Sequence, residues 1–94
     1  MRPTDLAQHY IDRHVFNSHT ENIFQASART LERKFPGIFI DEVSTDMAER
    51  WRTCTLGRLK VHSYNTYLRH LRILFKHAVH HRLVAENPFM SVRF

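Results

Sequence analysis

The chain has 94 residues, enough for one small domain with a single modest core but not for two independently folded domains. Fourteen lysine and arginine residues against nine acidic residues give a net charge of +5, which favours a polyanionic partner such as nucleic acid. No apolar stretch approaches the length needed to span a bilayer, so a membrane partner is not expected. The single cysteine, Cys54, excludes an internal disulfide bond, and the N-terminus lacks the apolar segment of a signal peptide. Both features predict a cytoplasmic protein.

Glycine and proline are rare, and both glycines, Gly37 and Gly57, lie between segments of helical periodicity. This distribution predicts an all-α protein. A first helix is predicted from Thr4, whose hydroxyl would cap the free amides of the first turn, to about Phe16.

A second helix follows, for which Asn17, Ser18 and Thr20 are all suitable N-caps. Proline cannot continue a helix and glycine permits the turn, so the helix should end at Pro36-Gly37. Its predicted buried side consists of Phe24, Ala28, Leu31 and Phe35.

The segment 38–43 is apolar and β-branched, but the sequence contains no second strand with which it could pair. We therefore predict an extended connector whose Ile38, Ile40 and Val43 enter the core. Ser44 or Thr45 would then cap a short third helix that buries Trp51 and closes at Leu56-Gly57.

The segment from Lys60 to Pro88 reads as one long amphipathic helix. Helical geometry places its apolar side chains within about 60° of Leu71 on the helical wheel. These residues are Tyr64, Leu68, Phe75 and Ala78.

A line of polar side chains, which we call the basic ladder, lies about 100° to 160° from Leu71 on this helix. It consists of Asn65, Arg69, Arg72 and Lys76, and no acidic residue occurs between His62 and Ala85. DNA phosphates are natural partners for such unpaired cations. A solvated helix face is the alternative interpretation.

The last predicted helix also resembles the end of the core-binding domain of tyrosine recombinases of the phage integrase class. That family has Thr/Ser-x-Asn, then Leu-x-x-Leu-Arg-x-x-Phe-x-x-Ala, then Asn-Pro. The matching residues here are Ser63, Asn65, Leu68, Leu71, Arg72, Phe75, Ala78 and Asn87-Pro88. Upstream, Ser18-x-Thr20, Phe24, Phe35-x-Gly37 and the run 40–43 are similar to the same domain in order and type.

The resemblance implies a four-helix SAM-like bundle of the integrase core-binding type. It implies a DNA-binding domain at residues 1–88, with 89–94 running extended as the start of a linker to an absent catalytic domain. In the family this domain forms one jaw of a clamp on the core recombination site during DNA integration or excision. The implied partners are double-stranded DNA, the catalytic domain of the parent chain and other recombinase protomers, at the nucleoid.

The candidate DNA-binding residues are the basic ladder, the residues at the start of its helix and one residue of the second helix. The complete set is Thr20, Lys60, His62, Ser63, Asn65, Arg69, Arg72 and Lys76. A helix N-terminus offers free amides to a phosphate, and an Asn or Arg one turn further can reach a base edge. Thr20 is included because the family resemblance implies it. The alternative interpretation is that the residues at the start of the second helix serve only as N-caps.

We expect no catalytic residue and no cofactor. The family's reaction needs an Arg, Lys and His set with a nucleophilic tyrosine in a following domain, and no such cluster surrounds the tyrosines here. His77, His80 and His81 have a spacing that could chelate zinc, but no cysteine or carboxylate completes a site. Two other functions remain open, a basic helical module for an acidic protein partner and a small helix-turn-helix regulator.

Overall fold

Four α-helices make up the computed structural model, which describes all residues from Met1 to Phe94. The helices are α1 (Pro3–Ile11), α2 (Ser18–Lys34), α3 (Thr45–Arg58) and α4 (Val61–His80), with a short 3-10 turn at Ile40–Glu42. There is no β-strand. The prediction of an all-α bundle of four helices is therefore confirmed.

Helix α1 differs from its prediction at both ends. Pro3 opens the helix, a position where its missing amide hydrogen costs nothing, and the carboxylate of Asp5 accepts a hydrogen bond from the Arg2 amide at 2.9 Å. Arg2 is the N-cap, so Thr4 lies within the first turn of the helix, where its amide donates to Glu32 Oε2 of α2 at 2.6 Å. The helix ends at Ile11 rather than Phe16, since Val15 is fully exposed and no buried contact supports further turns.

Helix α2 begins and ends largely as predicted. Asn17 is the N-cap among the three candidates, and its side-chain oxygen accepts the amide of Thr20 at 2.8 Å. The helix stops before Pro36, and Gly37 takes the left-handed backbone conformation with φ of +78°. Three of the four predicted core residues, Phe24, Ala28 and Leu31, are buried, while Phe35 is half-buried.

The connector between α2 and α3 buries Ile38, Ile40 and Val43, as predicted. It is not fully extended, because Ile40–Glu42 forms a 3-10 turn, and the amide of Ile40 donates to the carbonyl of Met1 at 2.9 Å. Ser44 caps α3 through the amide of Met47 at 3.1 Å. Helix α3 continues through Gly57 to Arg58, slightly beyond the predicted closure.

Helix α4 is shorter than predicted and buries a wider stripe. It ends at His80, and Arg82, with φ of +58°, reverses the chain so that the amide of Leu83 reaches the carbonyl of Ala78 at 2.8 Å. All five predicted core positions are buried, and Leu74 and His77 are buried as well. The stripe is wider because α1 and α2 cover one flank of α4 and the C-terminal segment covers the other.

The C-terminal tail, residues 89–94, packs on the bundle, so the prediction that it runs extended from Pro88 is wrong. Phe89 and Val92 are completely buried. Asn87 fixes the entry to the tail, because its amide nitrogen donates to the Arg72 carbonyl at 3.0 Å and its oxygen accepts the Phe89 amide at 3.1 Å. The core therefore extends through Val92, while the proposed role of the tail as a linker stays a prediction.

Trp51 of α3 lies where three helices and the tail meet. It is fully buried, and its indole N–H donates to the hydroxyl of Thr30 in α2 at 3.0 Å. Its ring centroid lies 5.5 Å from that of Tyr64 in α4 and 5.5 Å from that of Phe89 in the tail. These contacts set the position of α4 relative to α2 and α3.

Candidate nucleic-acid interface

Two cations of the basic ladder are exposed and have no acidic partner. Arg69 and Lys76 both project from α4 into solvent. The one ion pair of the structure, between Arg50 and Asp46 at 3.1 Å, lies on α3. Arg69 and Lys76 therefore keep their full charge available for an external anion.

The start of α4 has the arrangement expected for an anion contact. Lys60 occupies the N-cap position without a side-chain cap, and no acidic residue lies in the first turn. Lys60 and His62 are exposed, and Ser63 is half-buried. The free amides of the first turn and the positive helix end favour a bound anion.

Asn65 stands in an unusual environment for a surface polar residue. Its side-chain oxygen is buried and has no hydrogen-bond partner. A buried acceptor without a partner costs about 1–3 kcal/mol. To read an adenine edge with both its oxygen and its nitrogen, the Asn65 side chain would have to rotate outward.

Arg72 does not share the exposure of its neighbours in the basic ladder. Its Nε donates to the carbonyl of Phe89 at 3.1 Å, and its Nη2 donates to the carbonyls of Met90, at 3.2 Å, and of Val92. The ring of Phe94 lies over the guanidinium, with its centroid at 4.5 Å. The predicted contact between Arg72 and DNA stays a prediction, although these donors are already engaged by the chain's own backbone.

Thr20 lies at the opposite end of the bundle from Lys60, His62 and Ser63, the predicted site residues at the start of α4. Phe24 packs on His70, with ring centroids 4.7 Å apart, whereas Thr30 at the other end of α2 is linked through Trp51 to Tyr64. The start of α2 is thus beside the second half of α4, and Ser63 is at the opposite end. The Thr20 side chain is half-buried and is not the N-cap.

A histidine cluster joins α1 to α4, and sequence spacing revealed only half of it. His9 Nδ1 and His77 Nε2 are 2.7 Å apart, although 68 positions separate them in the chain. His81 packs against both rings, with centroids 5.4 Å from His9 and 4.2 Å from His77. The spacing of His77 and His81 was the only sign of this cluster in the sequence, since no local pattern connects His9 with His77.

Burial lowers the pKa of His77 to about 4, and the neighbouring His81, His9, His14 and Arg13 act in the same direction. The pKa of His9 is also lowered, first by burial and then by Arg13 and His81, with Asp12 opposing them. Both imidazoles therefore favour the neutral form. No group of three His, Cys, Asp or Glu side chains is arranged to hold a metal ion.

None of the four helices combines the length and the apolar character that crossing a membrane requires. What the fold and this surface define is a basic all-helical domain with exposed, unpaired cations along its longest helix.

The chain is 34% identical over 92 residues to "Putative tyrosine recombinase XerC" of Pseudomonas syringae. It is 32% identical over 94 residues to the protein of the same name in Pseudomonas aeruginosa.

Both matches cover 95% of this chain, and the resemblance to tyrosine recombinases is thereby confirmed. The chain spans about a fifth of the length of these relatives, 19% of one and 22% of the other. No family model matches the chain. No solved structure matches it significantly.

Proposed function

We propose that this chain is the core-binding domain of a tyrosine recombinase, which clamps double-stranded DNA at the core site for integration or excision. The observation that carries the proposal is the pair of exposed cations on α4, Arg69 and Lys76, which have no carboxylate partner. The similarity to two relatives named as tyrosine recombinases, over 95% of the chain, supports the same function.

In this proposal, Lys60, Ser63, Arg69 and Lys76 hold phosphates of the DNA backbone. Arg69 and Lys76 are two turns apart, about 10 Å along the helix axis, so they reach different phosphates. His62 and Thr20 add contacts at the start of α4 and of α2. Asn65, once rotated, is the residue nearest to base readout, whereas Arg72 supports the site by holding the tail in place.

The domain binds DNA and performs no strand cleavage in this proposal. The buried Tyr64 donates its hydroxyl hydrogen to the carbonyl of Arg93 at 2.5 Å, and burial raises its pKa. A raised pKa opposes the deprotonation that a nucleophilic tyrosine needs. Cleavage would belong to a catalytic domain in the longer parent protein, acting with other protomers at the nucleoid in the cytoplasm.

The experiment that tests the proposal is duplex binding, measured by fluorescence anisotropy between about 50 and about 200 mM salt. The affinity should fall steeply with salt. The double variant Arg69→Ala/Lys76→Ala should bind more weakly at low salt and should lower the slope of log K against log salt by about 2. The matched control is Arg50→Ala, which removes a cation already paired with Asp46 and should leave the slope unchanged.

Absence of duplex binding at the lowest salt would contradict the proposal, and so would an unchanged salt slope in the double variant. The first outcome would favour the alternative function, a basic helical module for an acidic protein partner.

A further inference from the structure

A cavity of about 300 Å³ lies between the C-terminal parts of α2 and α3, and no residue of the basic ladder lines it. Its polar lining comes from Arg33 and Lys34 at the end of α2, Arg58 at the end of α3, and two threonine hydroxyls. The volume is at the lower end of the range for small-molecule sites, which suits a compact ligand.

The cavity lining is strongly positive. Three cationic side chains line the cavity, no aspartate or glutamate does, and none of the three cations forms an ion pair. Each helix C-terminus contributes about half a negative charge, so two ends still leave the cavity with a net charge of about +2. The local field therefore favours an anion.

The two threonines differ in their hydrogen bonding. The hydroxyl of Thr30 donates to the carbonyl of Ser27 at 2.6 Å and accepts the indole N–H of Trp51, so it is fully used. Thr55 is only 6% exposed, yet its hydroxyl forms no hydrogen bond within the chain, unlike Thr53 and Thr66, which bond to the preceding helical turn. The only fully enclosed polar side-chain atom without a partner is Asn65 Oδ1, so the Thr55 hydroxyl is open to the cavity and free to donate to a ligand there.

We propose that this cavity binds one phosphate group, held by Arg33, Lys34 and Arg58 and oriented by a hydrogen bond from the Thr55 hydroxyl. The guanidinium groups match the geometry of a phosphate, and the hydroxyl supplies a directional donor at the buried end of the cavity. The phosphate is either part of the DNA backbone or carried by a free phosphorylated molecule. The site does not depend on the contacts proposed for α4.

The test is a titration of the 94-residue chain with inorganic phosphate, followed by NMR of the backbone amides in a phosphate-free buffer. Sodium chloride keeps the ionic strength constant. We expect saturable shifts at Thr55 and Arg58. The variant Arg58→Gln should weaken phosphate binding about tenfold, and Thr55→Val, which keeps the side-chain shape, should weaken it several-fold.

Arg13→Gln is the matched control, because it removes one positive charge at the end of α1 without touching the cavity. It should leave phosphate binding unchanged, and thermal melting of each variant should verify that it is folded. Shifts that do not exceed those caused by chloride would overturn the proposal. An equal effect of Arg13→Gln and Arg58→Gln would overturn it as well.

Addition of duplex DNA separates the two sources of the phosphate. If DNA supplies it, the duplex should shift the Thr55 and Arg58 signals, and Arg33→Gln/Arg58→Gln should weaken duplex binding. If a free phosphorylated molecule supplies it, these signals should respond to inorganic phosphate and not to the duplex. A failure of the phosphate titration leaves the result for Arg69→Ala/Lys76→Ala standing, so the two proposals fail separately.

Discussion

Arg72 of α4 holds the backbone of Phe89, with its Nε donating to the Phe89 carbonyl at 3.1 Å. Phe89 in turn is completely buried against Trp51 and Phe75, with ring centroids at 5.5 and 5.3 Å. Through this contact Arg72, which the sequence placed among the candidate DNA-binding residues, holds the last segment of the core in place.

Arg72→Ala should lower the free energy of unfolding by about 2–4 kcal/mol, because the carbonyls of Phe89, Met90 and Val92 all lose a charged donor. Arg72→Lys should recover only part of this loss, since lysine cannot present the same fork of donors. Urea denaturation followed by Trp51 fluorescence measures both changes. Arg69→Ala is the control, expected within about 0.5 kcal/mol of the parent, and an equal loss in the two alanine variants would contradict the prediction.

The histidine cluster predicts a loss of stability in acid. The folded-state pKa of His77 is about 4, below the usual 6.5, so the unfolded chain binds the proton more tightly. The contribution of the neutral His77 side chain to the free energy of unfolding is fully present above pH 6.5 and is lost as the pH falls from there toward 4. It amounts to about 3 kcal/mol.

The measurement is the unfolding free energy of the parent chain and of His77→Gln at pH values between 4 and 7.5. The parent should lose more stability than the variant over this range, since glutamine does not titrate. The charged and titratable groups around His77 are His9, Tyr10, Arg13 and His14 on or just after α1 and His81 just after α4, all of which the variant retains. His62→Gln serves as a control that should follow the parent. Parallel curves for the parent and His77→Gln would refute the assignment.

Substitution of Asn65 should affect the stability of the fold and its affinity for DNA differently. Asn65→Leu removes a buried acceptor that has no partner, so the free energy of unfolding should stay equal or rise by up to about 1 kcal/mol. Duplex affinity should fall about tenfold if the amide reads a base. The two quantities come from urea denaturation and anisotropy, and unchanged duplex affinity would remove Asn65 from the DNA-binding set.

The hydrogen bond between Trp51 and Thr30 is expected to stabilise the junction of α2, α3 and α4. Thr30→Val keeps the side-chain shape but leaves the buried indole N–H without an acceptor, which should cost about 1–3 kcal/mol. Thr53→Val, on the exposed side of α3, should change the unfolding free energy by less than about 0.5 kcal/mol. Thermal or urea denaturation of the two variants provides the comparison, and equal losses would show that the indole bond adds nothing.

Local chemistry made much of the fold predictable. The caps at Asn17 and Ser44, the stop at Pro36-Gly37 and the buried stripe of α4 all depend on residues within a few positions of one another. Helical periodicity is such a local property, since side chains three and four positions apart share a face. The helix ends at Ile11 and His80 were missed, because they depend on where burial stops and where the chain turns back.

The candidate site was predictable only as a line of residues on α4. On the helical wheel Arg72 lies about 100° from Leu71, at the edge of the apolar stripe, whereas Arg69 and Lys76 lie further round at about 140° to 160°. The sequence therefore marks Arg72 as the cation nearest the core, but it does not reveal which acceptors its guanidinium meets. The structure separates the three cations, because the tail returns to Arg72 from 17 to 20 positions away and leaves Arg69 and Lys76 in solvent. The partnership of His9 with His77 and the positive cavity between α2 and α3 have the same origin in helix packing.

By itself the sequence determined that the protein is all-α and basic, that one face of its last helix is apolar, and that an adjacent face is cationic. These properties follow from composition and from the fixed angle between successive residues of a helix. Only the tertiary structure decided which cations remain free, because that depends on which backbone carbonyls distant segments bring to them. A guanidinium binds whichever acceptors packing places within reach, and for Arg72 these belong to the chain's own tail.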